Sequence, residues 1–255
     1  MSPGQPVDPG SACLAGCAGQ RRGIGKRPVP GFRIPAMPVV IEMVSDLVCP
    51  WCWLGKRRIE TAIAMVPDVE VELLFRPYEL DPSIPAGGVD YKEYMRKAFS
   101  SPEAKERSGA MRQALIDYGE AEDIPYRFDE ISWRPNSLDA HRLVHWAQGQ
   151  KKGAAAKEAL FRAFFHDGRD IGDHGVLVDI ARQIDLDPTI VADLLSTDAD
   201  VVTVRAEEKY FREVGITGVP TYIANRQFAA QGAETPEKLA RFIRHAAEHP
   251  PAESA

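Results

Sequence analysis

The sequence predicts an α/β fold whose two outer thirds are separated by a large all-α insertion, and three stretches carry that prediction. The apolar run Val39-Val40-Ile41-Glu42-Met43-Val44 leads into a helix-like segment from Trp53 to Val66 and on to a second alternating strand, Val69 to Phe75. Helical patterning then dominates from Tyr91 to about Gly215. Strand character returns from Gly215 to Ala224 and is followed by a turn, a further strand and a last helix. The expected organisation is a disordered extension over residues 1–36, the first part of the α/β domain over 37–90, the insertion over 91–214, and the second part with its C-terminal helix over 215–255.

At 255 residues and 44% apolar, the chain can bury a substantial core. A net charge of −6 argues against a nucleic-acid partner, and no apolar run is long enough to span a bilayer. Residues 1–36 are rich in Pro, Gly and basic residues without periodicity. Within them Leu14-Ala15-Gly16-Cys17 and Arg21-Arg22 have the look of export signals, but the hydrophobic segment such signals need is missing. Met37 directly precedes the first strand, so translation is expected to start there; Cys13 and Cys17 could pair with each other, but that they do nothing is the simpler reading.

Glu42 interrupts a strand that otherwise reads as buried. Such a carboxylate either sits behind the cysteines, ready to accept a proton, or lies at a sheet edge. Asp46 reads as a turn residue. The strand–helix–strand unit requires a right-handed crossover and hence a parallel pair of strands. Ser101-Pro102-Glu103, Asn136-Ser137-Leu138-Asp139, Asp187-Pro188 and Thr235-Pro236-Glu237 each read as a helix start, with a side-chain cap and in three cases a proline in the first turn. Gly153-Ala154-Ala155-Ala156-Lys157 reads simply as a good helix former. Asn225-Arg226 marks the turn of a hairpin.

The chemistry sits at the first strand–helix junction, Val48-Cys49-Pro50-Trp51-Cys52. Pro50 suits the first helical position, which leaves Cys49 at the helix mouth, where unsatisfied N–H groups and the positive end of the dipole favour a thiolate. Cys52 shares a helical stripe with Ile59, Ile63 and Val66, while Lys56, Arg57, Arg58 and Glu60 lie mostly off it. Cys49 is therefore the expected exposed nucleophile and Cys52 the shielded resolving thiol. A zinc site would need two further ligands, and no second Cys-x-x-Cys occurs. His141 and His145 share a helix face and are the residues such a site would recruit, but packing within the insertion is the simpler reading for them.

Cys49-Pro50-Trp51-Cys52 at a strand–helix junction, a helical insertion, and Thr217-Gly218-Val219-Pro220-Thr221 entering a hairpin together resemble the thioredoxin fold of the DsbA family. Asp46 to Cys52, Ala140-His141-Arg142 and Gly168-Arg169-Asp170-Ile171-Gly172 resemble its FrnE-like branch. The resemblance implies a cis bond before Pro220 and a substrate-docking role for Val219, Pro220 and Thr221. From their own positions, Pro50 at the helix mouth, Trp51 at the substrate rim and Glu42 in the preceding strand are expected, with Pro220, to support Cys49 and Cys52. The resemblance also implies a cytoplasmic thiol–disulfide oxidoreductase, acting as a disulfide reductase or isomerase with no bound cofactor beyond a redox-active Cys49–Cys52 disulfide. Glutathione is a possible thiol donor, and the substrate is a protein or small thiol carrying a disulfide or dithiol. With no histidine between the cysteines, a potential of roughly −180 to −240 mV is expected.

Two other readings stand beside it. Kappa-class glutathione transferases and 2-hydroxychromene-2-carboxylate isomerases are similar in architecture, and by that resemblance glutathione would lie along Val219-Pro220 and near Arg169 and Asp170. A non-enzymatic redox sensor or metal-binding protein is the third. The sequence leaves substrate, direction of exchange and oligomeric state open.

Overall fold

The computed structural model describes residues 37–251. The expectations for residues 1–36, including those for Cys13 and Cys17, lie outside the described residues. β1 (Val39–Ser45) runs at the centre of a four-stranded sheet of order β2-β1-β5-β6. It pairs in parallel with β2 (Val71–Pro77) and antiparallel with β5 (Thr221–Ala224), which forms a hairpin with β6 (Phe228–Gln231). The parallel pair is the expected strand–helix–strand unit, joined by α1 (Pro50–Ala64). β2 extends through Arg76 and Pro77, two residues past the expected strand end at Phe75; proline is tolerated there because it ends the strand.

β1 separates two cores by its alternation. Ile41 and Met43 join a large cluster with Cys52, Trp53 and residues of the insertion, whereas Val44 packs with Tyr78 and Phe211. α9 (Pro236–Glu248) packs on α1, and α8 (Val201–Glu213) supplies Phe211 to the other face. Between the two halves of the sheet run α2 (Tyr91–Ala98), α3 (Pro102–Ala121), α4 (Leu138–Gly149), α5 (Gly153–Phe165), α6 (His174–Gln183) and α7 (Pro188–Leu195). The stretch between α3 and α4 departs from the all-helix expectation: it holds a single 3-10 turn and β4 (Trp133–Arg134), which pairs with β3 (Val89–Asp90). Arg134 and Trp133 are thereby held on a small sheet that helical periodicity cannot reveal.

Three helix starts cap as read, with Ser101, Asp187 and Thr235 accepting from backbone N–H groups of the first turn. Ser137 differs. It occupies the N-cap of α4 but makes no cap hydrogen bond, because its hydroxyl donates to Asp46. Lys56 and Arg58 also depart from the reading of α1, since both are buried. α1 is covered on more than one side: Lys56 reaches Glu158 of α5 at 3.0 Å, and Arg58 reaches Glu122 at 2.7 Å and the Ala233 carbonyl. A helix enclosed in this way buries long charged side chains only with carboxylate or carbonyl partners.

Candidate active site

Cys49 is the N-cap of α1, in extended conformation with no side-chain cap, and Pro50 follows at the first helical position. Cys52 lies in the next turn, its N–H bonded to the Cys49 carbonyl. Both are free thiols; Cys52 is fully buried as expected, but Cys49 is only 4% exposed and not the exposed thiol the sequence suggested, because residues of the insertion pack around the helix mouth. The Val219–Pro220 bond is cis, and the Cys49 thiol donates to the Val219 carbonyl at 3.9 Å. Sequence positions separated by the whole insertion therefore meet at one sulfur.

The electrostatics separate the two thiols. Burial, and then the neighbouring Cys49 thiol, push Cys52 well above the ordinary thiol range, while the charge of Lys157 pulls it back. Lys157 is 1% exposed and donates to the Ser45 hydroxyl at 2.8 Å. Burial lowers it to about 8, against the opposing pull of Cys52, Asp46 and Cys49. A lysine poised in this way can change protonation state near neutral pH. Nothing in Gly153 to Lys157 beyond helix propensity marks it in sequence, because only the tertiary fold carries α5 beneath β1.

Glu42 is corrected by the structure. It shares the face of β1 that carries Val44, pairs with Arg76 at 2.7 Å and is approached by Arg226 at 3.7 Å. It is thus paired on the side of the sheet away from Cys52, whereas Lys157 is a buried titratable group whose charge does couple to both cysteines. Asp46 is corrected in the other direction, from turn residue to buried hub. It accepts from the Leu80 N–H at 2.7 Å, the Ser137 hydroxyl at 2.8 Å and the Val48 N–H at 3.4 Å. Burial raises its carboxyl, but His141, Arg134 and the Leu80 N–H together outweigh this and hold it below the usual range. His141 lies 3.6 Å from Asp46, and its own burial favours the neutral ring. Packing alone therefore understates His141: α4 is brought against the loop that leads into Cys49.

Around the helix mouth, the Tyr126 hydroxyl donates to the Pro50 carbonyl at 2.8 Å. Trp51 is half-buried with its edge toward Tyr118, and Trp53 is buried among Phe161, Phe165 and Tyr126. Thr221 is buried, its hydroxyl donating to the Gly218 carbonyl at 2.7 Å, so it braces the loop from within. Arg169 pairs with Asp179 and Asp170 accepts from the Gly172 N–H, which commits both residues to their own loop and helix. Among the described residues, the group whose ligand atoms could share a metal is His245, Glu248 and His249, exposed at the end of α9; neither cysteine belongs to it.

A cavity of about 670 Å³ opens beside Cys49, Pro50 and Trp51, walled mainly by α2, α3 and the segment from Phe128 to Arg134. Val219, Pro220 and Thr221 do not line it.

A sheet of this order, with a Cys-x-x-Cys pair at the mouth of α1 beside a cis-proline loop, defines a thioredoxin-fold dithiol protein. The chain belongs to the DsbA-like thioredoxin domain family, whose pattern it matches over residues 40–244. It is 33% identical to the Bacillus subtilis protein YwbO over 193 residues, 73% of this chain and 87% of that one. The fold is similar to a probable DsbA oxidoreductase from Streptomyces coelicolor, with TM-score 0.77, 28% identity, and coverage of 85% of this chain and 93% of that one. It is also similar to a 2-hydroxychromene-2-carboxylate isomerase (TM-score 0.62, 14% identity, 82% and 98% covered). The cytosolic disulfide reductase DsbM from Pseudomonas aeruginosa, solved with GSH, gives TM-score 0.54 at 18% identity, 82% and 99% covered. Among the described residues, no helix is long and apolar enough to cross a membrane.

Proposed function

We propose that this protein is a thiol–disulfide oxidoreductase that reduces or isomerises disulfides in the cytoplasm. The observation that carries the reading is the division of labour at α1: Cys49 at the helix mouth against the Val219 carbonyl, and Cys52 buried behind it with its thiol held in the protonated form. Cys49 thiolate attacks one sulfur of a substrate disulfide, forming a mixed disulfide and releasing a thiolate that takes up a proton. Cys52 then attacks the Cys49 sulfur, its proton passing to the departing second substrate thiolate while the charge of Lys157 eases its ionisation. The second substrate thiol departs and a Cys49–Cys52 disulfide remains. Two electrons have passed from the dithiol to the substrate, and two equivalents of a thiol donor return them.

Glutathione is our choice of donor, supported by the fold shared with DsbM. The Pro-Trp pair between the cysteines supports a potential of roughly −180 to −240 mV, which makes reduction or isomerisation the favoured direction in a reducing compartment. Val219 and Pro220 form the loop against which an extended substrate would dock, while Thr221 holds that loop in place.

Insulin reduction in glutathione buffer, measured beside the midpoint of the Cys49–Cys52 couple, tests the assignment. Wild-type protein should turn over, and Cys49→Ser and Cys52→Ser should each lose roughly a hundredfold or more. Survival of full activity in Cys52→Ser would point to glutathione addition chemistry, as in an isomerase or transferase, and would overturn dithiol exchange.

A further inference from the structure

The cavity beside Cys49 contains a feature that dithiol exchange does not explain. Arg134, on β4, borders the cavity yet is only 5% exposed, and its guanidinium Nη1 is buried without a hydrogen-bond partner. Its guanidinium lies 5.2 Å from the centre of the Tyr94 ring. Among the described residues, no carboxylate forms an ion pair with it within 4.0 Å. The two aspartates that feel its charge are occupied elsewhere: Asp46 by Leu80, Ser137 and Val48, and Asp81 by Ser83. Arg112, also on the cavity wall, is already matched by Asp129 at 2.6 Å. A buried guanidinium left unpaired is costly, and that cost is relieved when an anion enters beside it.

Lys92, Ser108, Asp129 and the rings of Tyr91 and Tyr94 also border the cavity, and the rest of the wall is mainly apolar, with Leu80, Met95, Phe99, Met111, Leu115 and Phe128. Cys49 is itself nearly enclosed, so a disulfide reaching it through this cavity must be slender. We propose that the cavity is the substrate subsite for small disulfides with an aromatic or aliphatic body bearing a carboxylate, and that Arg134 binds the carboxylate. The inference rests on the exchange reading above and names the substrate class for that site. In the step itself, the Cys49 thiolate breaks the substrate S–S bond, one half leaves as its thiol, and the half held by Arg134 forms the mixed disulfide. Cys52 then displaces that half as the second thiol, so the enzyme dithiol is oxidised and the substrate disulfide reduced. The volume lies within the range typical of small-molecule pockets.

The test uses a matched pair of aromatic disulfides, 5,5′-dithiobis(2-nitrobenzoate) and its uncharged 2-nitrobenzamide analogue, with reduced full-length protein. Each rate of thiol release is divided by that of dithiothreitol with the same probe, which removes intrinsic reactivity. Wild type should favour the carboxylate probe by at least about tenfold. Arg134→Gln should lower the carboxylate rate at least about tenfold while leaving the amide within about twofold, and Arg134→Lys should restore part of the preference. Equal losses on both probes, or none, would overturn the proposal. If Arg134→Gln fails to fold, a wild-type ratio near one overturns it and a strong preference, reversed by competing 2-nitrobenzoate but not 2-nitrobenzamide, supports it. Reaction of neither probe at Cys49 would instead overturn the exchange chemistry, and this inference with it.

Discussion

Cys52 and Lys157 oppose each other inside the core: desolvation disfavours a charge on either one, and each charge partly relieves the other. A thiol that stays protonated at rest does not compete with Cys49 for substrate, while a nearby cation lowers the cost of ionising it when resolution is due. Lys157→Met keeps the volume and removes that charge. Cys52 is then driven further up, so the pH profile of the resolution step should move toward alkaline pH. At pH 7 the step should slow by about tenfold for each unit of movement. Rapid-quench measurement of mixed-disulfide decay would show this, and an unmoved profile would mean that Lys157 serves packing alone. Residues of this kind were the least legible in sequence. Cys49 and Cys52 announce themselves by spacing, but Lys157 hides in an alanine-rich helix, and Arg134 and Asp46 in segments that read as helix and turn. Glu42 attracted attention as a charge in an apolar strand, yet Arg76 on the neighbouring strand neutralises it on the opposite face.

At the scale of elements, the site is a junction of α1 with the loop before β5. Gly55 makes the close approach possible: a Cβ there would stand 2.8 Å from the Pro220 Cγ and would also collide with the Tyr222 hydroxyl. Alanine is the better helix former by about 1 kcal/mol, but overpacking against a buried proline and tyrosine costs about 1–3 kcal/mol and should win. Gly55→Ala should therefore lower the urea midpoint and, by pushing the Pro220 loop from Cys49, slow exchange. A stabilised variant with unchanged rate would show that the contact yields easily. The strands, the hairpin and the capped helices were readable because their signals are local: alternation, a turn at Asn225-Arg226, and Ser, Asp or Thr at helix starts. β3 and β4 were not, since two-residue strands leave no period to detect.

Across the whole molecule, the insertion is part of the site and not a lid added to it. It supplies Lys157 beneath the cysteines, Ser137 and His141 to Asp46, Tyr126 to the Pro50 carbonyl, and most of the cavity wall. Sequence pattern marks the insertion as helical, but which of its faces turns toward Cys49 follows from packing between segments about a hundred residues apart, and that has no local signature. The same long-range packing encloses Cys49.

The most direct measurement is intact-mass analysis of single-cysteine variants after exposure to a disulfide substrate. With Cys52→Ala, one mixed disulfide per chain should accumulate on Cys49 and persist, because nothing remains to resolve it. With Cys49→Ala, the buried Cys52 should stay unmodified over the same interval. Comparable labelling of Cys52, or no adduct on Cys49, would contradict the assignment of attacking and resolving sulfurs.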